Sequence, residues 1–334
     1  MNKTLSISVA AYNVEQYLPK LFETLIIDEV IDDIEILIVN DGSTDNTAKL
    51  SLEYQEKYPN SVRLIDKKNG GHGSTINRGI VEAKGKYFRA LDGDDWVNSS
   101  DFVKLIAKLK DDDSDMILTN FITCYYDGRE ETERFTGIES GVQYKFDSVI
   151  DKIGWMRYHT VIYKTEILQK NKIELDEHCF YVDSEFMIFP IPYIDTITYY
   201  NLSIYCYRLG IEGQSVSPAS RMKHSDDSYK VYKSLFEMYN NLPNNISEKH
   251  KKYIEYGISG HCIWHFRTLM TFDASKQKKQ ELINYDKAIK QESYIIYKGM
   301  EKYGNTSRLI KVMRKSKYLM YGIICGYKNK KNSR

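Results

Sequence analysis

Residues 34–47 read IEILIVNDGSTDNT, an apolar segment of strand length that ends abruptly in a polar turn. A continuous apolar run of this length is typical of a strand that is covered on both faces, as in a parallel sheet. The polar half, DGSTDNT, supplies turn and helix-capping side chains, and we expect a helix to follow it up to about Tyr58. The stretch therefore predicts a strand, a turn and a helix, the repeating unit of an α/β fold.

The same alternation continues on both sides of this unit through the first hundred residues. The sequence predicts strands at Leu5–Ala11, 62–65 and 87–91 and a helix at 75–83. After the first strand, an apolar stripe from Tyr17 to Leu25 predicts another helix, with Asn13 as its N-cap and Gln16 as the reciprocal partner. Strands and helices that alternate in this way predict a parallel sheet with right-handed crossovers.

Beyond residue 95 the pattern loosens and then becomes helical. The sequence predicts a helix at 101–110 and strands at 116–126, Val161–Lys164, 197–200 and 204–207. From about Met222 onward the apolar spacing is helical, with no convincing strand. We therefore predict an α/β core, a mixed extension and a helical C-terminal region.

Composition and charge fit a globular protein. The chain has 334 residues, enough for about two domains, and 42% of them are apolar. A formal net charge of +1 gives no reason to expect nucleic acid as a partner. Five cysteines without a CxxC pair indicate reduced, mostly buried thiols. No apolar run approaches the ~20 residues that cross a bilayer, and no leader pattern stands at the N-terminus, so we expect a cytoplasmic protein.

The near-zero net charge hides an uneven distribution of charged residues along the chain. Residues 305–334 contain nine basic side chains and no acidic one, and subtracting nine from +1 leaves −8 for residues 1–304. Apolar residues recur among these basic ones at roughly helical spacing. A basic amphipathic helix of this kind either lies on an anionic membrane surface, here the inner face of the cell membrane, or packs its apolar side on the protein. The sequence leaves both interpretations open.

Polar residues stand where three of the predicted strands end, at residues 10–13, 40–43 and 92–95. In parallel sheets ligands bind at the carboxyl ends of the strands. Residues 90–96, ALDGDDW, place three carboxylates in four positions, and these would repel one another unless a cation lay between them. Mg²⁺ or Mn²⁺ suits such oxygen ligands. An acidic surface turn is the alternative, whereas an EF-hand is excluded because Val103 occupies the twelfth position from Asp92.

Residues 69–74, NGGHGS, form a glycine-rich loop ahead of a predicted helix. Residues 71–76 lack the last glycine of a dinucleotide-binding GxGxxG motif, and residues 79–86 do not have the spacing of a P-loop. Classical dehydrogenases and P-loop kinases are therefore disfavoured. The loop can still receive a phosphate through its backbone amides, or it is an ordinary connector.

Four motifs occur in one order over residues 5–100: SVAAYN, IVNDGSTDNT, NGGHGSTIN and LDGDDW. This series closely resembles the family 2 glycosyltransferases, inverting enzymes with the GT-A fold. The resemblance implies a Rossmann-like mixed sheet flanked by helices, here with a C-terminal helical extension. It also implies metal-dependent transfer of a sugar from a nucleotide-sugar, for which a UDP-linked donor is expected, to a hydroxyl of a glycan, lipid-linked or protein-linked acceptor.

The resemblance assigns roles on the donor side. Asp41 would contact the uracil or ribose, and Ala11 and Tyr12 would line the base pocket. Asp92 and Asp94 would form the DxD pair, with Asp94 holding Mn²⁺ or Mg²⁺ on the diphosphate. The further expected donor contacts are Asn69, Asn77 and Arg208. The family often has Arg-Asn where this chain has Ile76-Asn77, so the contact of that arginine would fall to Arg78, Lys68 or His72.

On the acceptor side, residues 179–186, CFYVDSEF, resemble the acidic motif of the family. The resemblance makes Asp183 the general base, with Glu185 as the competing residue. A carboxylate in this role removes the proton from the acceptor hydroxyl while that hydroxyl attacks the anomeric carbon. We therefore expect a single in-line displacement.

Three functional parts follow from this interpretation. Residues 1–100 would be the nucleotide-sugar-binding half, 101–221 the acceptor-binding half, and 222–334 a helical region with a basic tail. A nucleotidyltransferase is the rival enzyme, although such enzymes usually carry a basic glycine-rich loop after the first strand. A silent glycan-binding scaffold is the other rival. His261 and His265 share a helix face and could bind zinc, but their aromatic neighbours favour packing.

Overall fold

The structure is a computed structural model that describes residues 3–210, 214–272, 274–304 and 306–332, with side chains described up to residue 326. The chain divides into two compact units, residues 1–211 and 212–334. The functional boundaries at residues 100 and 221 stay a prediction.

The first unit is built on a mixed sheet in which ten strands are described. They are β1 (Leu5–Ala11), β2 (Ile34–Asn40), β3 (Val62–Asp66), β4 (Tyr87–Asp92), β5 (Trp96–Val97), β6 (Met116–Tyr125), β7 (Glu130–Glu133), β8 (Gln143–Lys145), β9 (Val161–Lys164) and β10 (Thr196–Leu209). Their order is β3-β2-β1-β4-β9-β6-β10-β5, with β7 beside β6 and β8 beside β10. Strands β3, β2, β1 and β4 are parallel, and β9 is antiparallel to both of its neighbours.

Helices connect the strands of the first unit and form the second. The first unit contains α1 (Leu18–Leu25), α2 (Thr47–Lys57), α3 (His72–Glu82), α4 (Ser99–Asp111), α5 (Phe146–Val149), α6 (Thr165–Lys170) and α7 (Asp183–Ile188). The second contains α8 (Pro218–Lys223), α9 (Ser225–Asn240), α10 (Glu248–Leu269), α11 (Lys276–Glu292), α12 (Tyr294–Gly299), α13 (Ser307–Lys315) and α14 (Tyr321–Asn332). This arrangement confirms the predicted mixed sheet flanked by helices with a helical C-terminal extension.

Residues 34–47 fold as their pattern predicts. Every residue of β2 is buried, and β1 and β3 flank the strand in the sheet, as expected for an inner strand of a parallel sheet. Thr47 then begins α2, which ends at Lys57. The apolar run therefore lies at the centre of the parallel half of the sheet.

The predicted capping box at the start of α1 is wrong. The helix begins at Leu18 after Tyr17, without a side-chain cap. Asn13 instead adopts a left-handed φ of 53°, and its side-chain oxygen accepts a hydrogen bond from the Thr44 amide at 2.8 Å. The Asn13 amide in turn donates to Ser43 Oγ at 2.9 Å. The side chain thus joins the loops that follow β1 and β2, a tertiary contact that the local pattern does not reveal.

The two predicted strands at 197–200 and 204–207 are one strand, β10. It pairs in parallel with β6 throughout, but Tyr200 lies opposite Thr119 and Tyr205 opposite Phe121. The strand therefore advances five residues where β6 advances two, through two register shifts. Such bulges interrupt the alternation that the sequence prediction relied on.

In the second unit, α13 is anchored by a buried ion pair. Arg314, whose side chain is 7% exposed, contacts Asp286 at 2.6 Å and Glu301 at 3.0 Å. Its guanidinium lies 3.5 Å from the ring centre of Tyr297. Ile310 and Met313 on the same helix are fully buried. This part of the basic tail therefore packs on its own unit.

Other side chains of the tail point to solvent. Leu319 is 78% exposed and Ile323 is 67% exposed. No helix within the described ranges is both long and apolar enough to cross a membrane. The basic residues 328, 330, 331 and 334 lie outside the described side chains.

Candidate active site

The sheet brings the three polar strand ends together. Ala11 lies opposite Asn40, and Ala10 lies opposite Asp92 in the parallel register of β1 with β2 and β4. The segments after these strands therefore meet at one edge of the sheet, as the rule for parallel sheets requires. Ala11 is buried and Tyr12 is 53% exposed at this edge.

The DGDD turn after β4 is fixed by backbone hydrogen bonds. The Gly93 amide donates to the Ala10 carbonyl at 2.9 Å, and the Asp95 amide donates to the Asp92 carbonyl at 3.1 Å. A Cβ atom at Gly93 would lie 2.8 Å from that Ala10 oxygen, so glycine is needed for the close approach. The turn holds carboxylate oxygens of Asp92, Asp94 and Asp95 within 4.8 Å of one another.

The three aspartates of the turn have different surroundings. Asp95 is 2% exposed, and its two oxygens accept hydrogen bonds from the Tyr205 hydroxyl and the Arg208 amide, both at 2.7 Å. Burial and the charge of Asp92 raise the pKa of Asp94 to about 6. A cation would relieve this repulsion, and carboxylate oxygens are the ligands that Mg²⁺ and Mn²⁺ take. The donor set of Asp92 and Asp94 therefore fits a divalent cation.

His72 lies among the acidic groups of the site. Its Nε2 is 2.9 Å from Asp92 Oδ1, which also accepts a hydrogen bond from the Tyr158 hydroxyl at 3.2 Å. Burial alone would lower the pKa of His72, but the charge and hydrogen bond of Asp92, with the charges of Asp183 and Asp94, raise it. Burial would raise the pKa of Asp92, yet the charge and hydrogen bond of His72 lower it. Each of the two groups therefore favours the charged form of the other.

Asp41 anchors the glycine loop, residues 69–74. Its side chain, which is 3% exposed, accepts hydrogen bonds from the amides of Gly70 and Gly71 at 2.9 and 2.8 Å and from Lys67 Nζ at 2.7 Å. The Asn69 side chain donates to the Asp41 carbonyl at 2.9 Å. These hydrogen bonds hold the glycine loop in place. Its last three residues form the start of α3, which begins at His72, three residues before its predicted start.

The glycine loop is joined to the segment that leads to Asp183. The His178 amide donates to the Gly70 carbonyl at 2.5 Å. The Asn77 side chain donates to the Leu175 carbonyl and accepts from the Leu175 amide, at 2.9 and 2.8 Å. Asn77 is therefore occupied by this link rather than open to the strand ends.

Asp183 is the first residue of α7. Burial raises its pKa to about 6, and the charge of His72 partly opposes this shift. Glu185 is fully buried, and its Oε2 accepts a hydrogen bond from the Asp176 amide at 2.8 Å. The charges of His72 and Asp92 both act on Asp183.

Arg208, near the end of β10, contacts the other side of the turn. Its Nε donates to the Asp94 carbonyl at 2.8 Å, and its guanidinium lies 4.6 Å from the ring of Trp96 and 5.0 Å from that of Tyr17. The structure thus brings Asp92, Asp94 and Arg208 together at the turn, and Asp41 and Asn69 together at the glycine loop.

Several contacts of the site leave no signal in the sequence. Tyr158 and Lys67 carry no local signal, because they reach the site through tertiary packing alone. His72 stands in the glycine-rich motif and Tyr205 in a predicted strand, and their bonds to Asp92 and Asp95 could be inferred only with strand order and register known.

The mixed sheet flanked by helices, with polar strand ends gathered at one edge, defines a class, the GT-A glycosyltransferases. The model of the family described as glycosyl transferase family 2 matches residues 6–177. The chain belongs to this family and is a glycosyltransferase of bacterial type.

Curated relatives and a solved structure are similar to the chain. YibD, an uncharacterized glycosyltransferase of Escherichia coli, is 29% identical over 274 residues, which cover 77% of this chain and 76% of YibD. EpsH of Bacillus subtilis is 26% identical over 215 residues, 61% of this chain and 60% of EpsH. Residues 1–349 of TarS of S. aureus, in complex with UDP-GlcNAc, share the fold with a TM-score of 0.69 at 18% identity, over 98% of this chain and 92% of that one.

Proposed function

We propose that this glycosyltransferase moves a sugar, with inversion, from a UDP-sugar to a hydroxyl of a glycan, glycolipid or glycoprotein, in a reaction that depends on Mn²⁺ or Mg²⁺. One observation carries the proposal: the acids expected for the donor and acceptor sides, Asp92, Asp94 and Asp183, all lie close enough to His72 for their charges to act on it. Donor and acceptor chemistry can therefore meet at this sheet edge.

Asp183 supplies the general base in this proposal. Its pKa of about 6 leaves it ionised at neutral pH and more basic than an ordinary aspartate. It takes the proton of the acceptor hydroxyl while the acceptor oxygen bonds to the anomeric carbon. The bond from that carbon to the diphosphate oxygen breaks, and the nucleoside diphosphate leaves with the electron pair. A single displacement of this kind inverts the anomeric centre.

Asp92 and Asp94 would hold the divalent cation on the donor side. When bound, the cation would neutralise charge on the departing diphosphate. We assign Ala11 and Tyr12 to the base pocket and Asp41 and Asn69 to the shape of the glycine loop beside it. Arg208 faces the diphosphate from the turn. Asn77 supports the donor side indirectly, because its hydrogen bond to Leu175 holds α3 in place behind the glycine loop.

A panel of UDP-, GDP- and dTDP-sugars tests the donor class. We expect Mn²⁺-dependent release of UDP from one or more UDP-sugars, with free sugar as the second product when no acceptor is added. Formation of UTP and sugar 1-phosphate from a UDP-sugar and added pyrophosphate would indicate a nucleotidyltransferase, which family membership already argues against. Release that is equal with and without the metal would overturn the metal dependence.

We also propose that the tail meets an anionic membrane surface on the cytoplasmic side. Exposed Leu319 and Ile323 follow a helix whose Arg308, Lys311 and Lys315 also face solvent. No acidic residue occurs after residue 304, so anionic lipid is the complementary partner. This location would suit a lipid-linked acceptor.

Vesicle binding tests this surface without removing the buried anchor of α13. We expect the full chain to bind phosphatidylglycerol vesicles and the Leu319→Ser, Ile323→Ser double variant to bind them less. Val81→Ser is the control, because Val81 is 72% exposed on α3 of the other unit. Equal binding of phosphatidylcholine vesicles, or no loss in the double variant, would contradict the proposal.

A further inference from the structure

Strand β10 supports the DGDD turn through a side chain that has no role in the mechanism above. Tyr205 is fully buried. Its hydroxyl donates to Asp95 Oδ2 at 2.7 Å and accepts from the Asp92 amide at 3.1 Å. One hydroxyl therefore bonds to both ends of the turn that carries Asp94.

Asp95 is the second half of this support. Its other oxygen accepts from the Arg208 amide, so β10 occupies both oxygens of the carboxylate. Its own amide closes the turn onto the Asp92 carbonyl. Because both of its carboxylate oxygens accept hydrogen bonds from β10, Asp95 stabilises the conformation of the turn. Asp92 and Asp94 are then the pair that faces a ligand.

The position of Tyr205 is itself fixed by the fold. The second register shift between β10 and β6 falls between Ser203 and Tyr205, and bulges next to active sites commonly redirect a side chain. The ring of Tyr205 lies 5.3 Å from the guanidinium of Arg89, which is 1% exposed. The hydroxyl is therefore held against the turn by packing on its ring as well as by its hydrogen bonds.

We propose that Tyr205 is a positioning residue that, by bonding Asp92 and Asp95 together, sets the geometry of the Asp92 and Asp94 carboxylates for a metal-bound diphosphate. The inference rests on the proposed metal-dependent donor site. Partners that orient metal ligands in this way typically change metal affinity 10- to 100-fold when they are removed.

Removing the hydroxyl tests the role, because Tyr205→Phe keeps the ring on Arg89. UDP affinity is measured by calorimetry on the full chain, with and without Mn²⁺. We expect the variant to lose about tenfold or more of its UDP affinity in Mn²⁺ and to keep its metal-free UDP affinity. Tyr207→Phe is the matched control, since Tyr207 lies on the same strand and none of the hydrogen bonds described involves its hydroxyl; we expect wild-type values for it.

The two readouts separate positioning from general support of the fold. Wild-type affinity in Mn²⁺, or an equal loss with and without the metal, would overturn the positioning role. If Tyr205→Phe does not fold, Asp95→Asn is measured in its place, with the same selective loss expected. Unfolding of both variants would also overturn the proposal, because the pair would then be a requirement of the fold.

The wild-type protein distinguishes this failure from failure of the proposed function. If wild-type UDP affinity does not respond to Mn²⁺, the metal-dependent donor site is wrong. If it responds and Tyr205→Phe responds equally, only the positioning role is wrong.

Discussion

At the scale of single residues, burial gives Asp183 the properties of a base. Its raised pKa of about 6 predicts an acid limb in the pH profile of transfer. Protonation below this pH removes the base, so kcat/KM should fall about tenfold per pH unit below pH 6. The measurement is the initial rate of transfer or of UDP release from pH 4.5 to 8. A profile that stays flat down to pH 5 would contradict the assignment.

Substitution of the same residue gives an independent test. Asp183→Asn keeps the size of the side chain but cannot take a proton. We expect it to bind UDP as the wild type does and to lose transfer by 10²-fold or more. Glu185→Gln is the comparison, because the buried Glu185 carboxylate accepts a hydrogen bond from the Asp176 amide. An active Asp183→Asn variant would show that another residue is the base.

The residues of the site differ in how well the sequence reveals them. Asp92, Asp94 and Asp183 are predicted as site residues because each stands in a local motif. The link from His72 to Asp92 spans 20 residues and that from Tyr205 to Asp95 spans 110. Contacts of this range depend on strand order, which one sequence read alone does not supply.

At the scale of elements, the glycine loop and the segment 175–178 fit together without spare room. A Cβ atom at Gly73 would lie 2.1 Å from the Asp176 carbonyl oxygen. Gly73→Ala must therefore push apart the loop and the segment that leads to Asp183, at a cost of about 1–3 kcal/mol in unfolding free energy. We expect weaker UDP binding together with this loss, measured by calorimetry and urea unfolding.

Gly260→Ala is the control for Gly73→Ala. Gly260 lies within α10, and a Cβ atom there meets nothing within 4 Å. Alanine should stabilise this helix by about 0.5–1 kcal/mol. If Gly73→Ala were as stable and as active as Gly260→Ala, the close packing of the loop would be refuted.

The strands were largely predictable where the apolar pattern of the sequence stays the same along the whole strand. The strands β1, β2, β4 and β9 follow apolar runs, and their predicted and observed bounds differ by at most one residue. The prediction failed at Asn13, whose side chain joins another loop, and across β10, whose bulges break the period of two. Both failures arise from contacts with distant parts of the chain.

At the scale of the whole molecule, the basic residues of the tail differ in their surroundings. Arg314 is buried against Asp286, which is 1% exposed, whereas Lys315 next to it is exposed. Arg314→Ala should leave the acid buried without its partner and destabilise the second unit by about 3–5 kcal/mol. Urea unfolding measures this, with Lys315→Ala as the control; equal stability of the two variants would contradict a structural role for Arg314.

The proposed function depends above all on a metal-dependent nucleotide site at the DGDD turn. Calorimetric titration of UDP into the wild type, Asp94→Ala and Asp28→Ala tests it most directly, each with and without Mn²⁺. Asp28 is an exposed aspartate between α1 and β2 and serves as the control. We expect Mn²⁺ to strengthen UDP binding to the wild type and to Asp28→Ala and to have no effect on Asp94→Ala. Metal-independent UDP binding by the wild type, or an undiminished metal effect in Asp94→Ala, would contradict it.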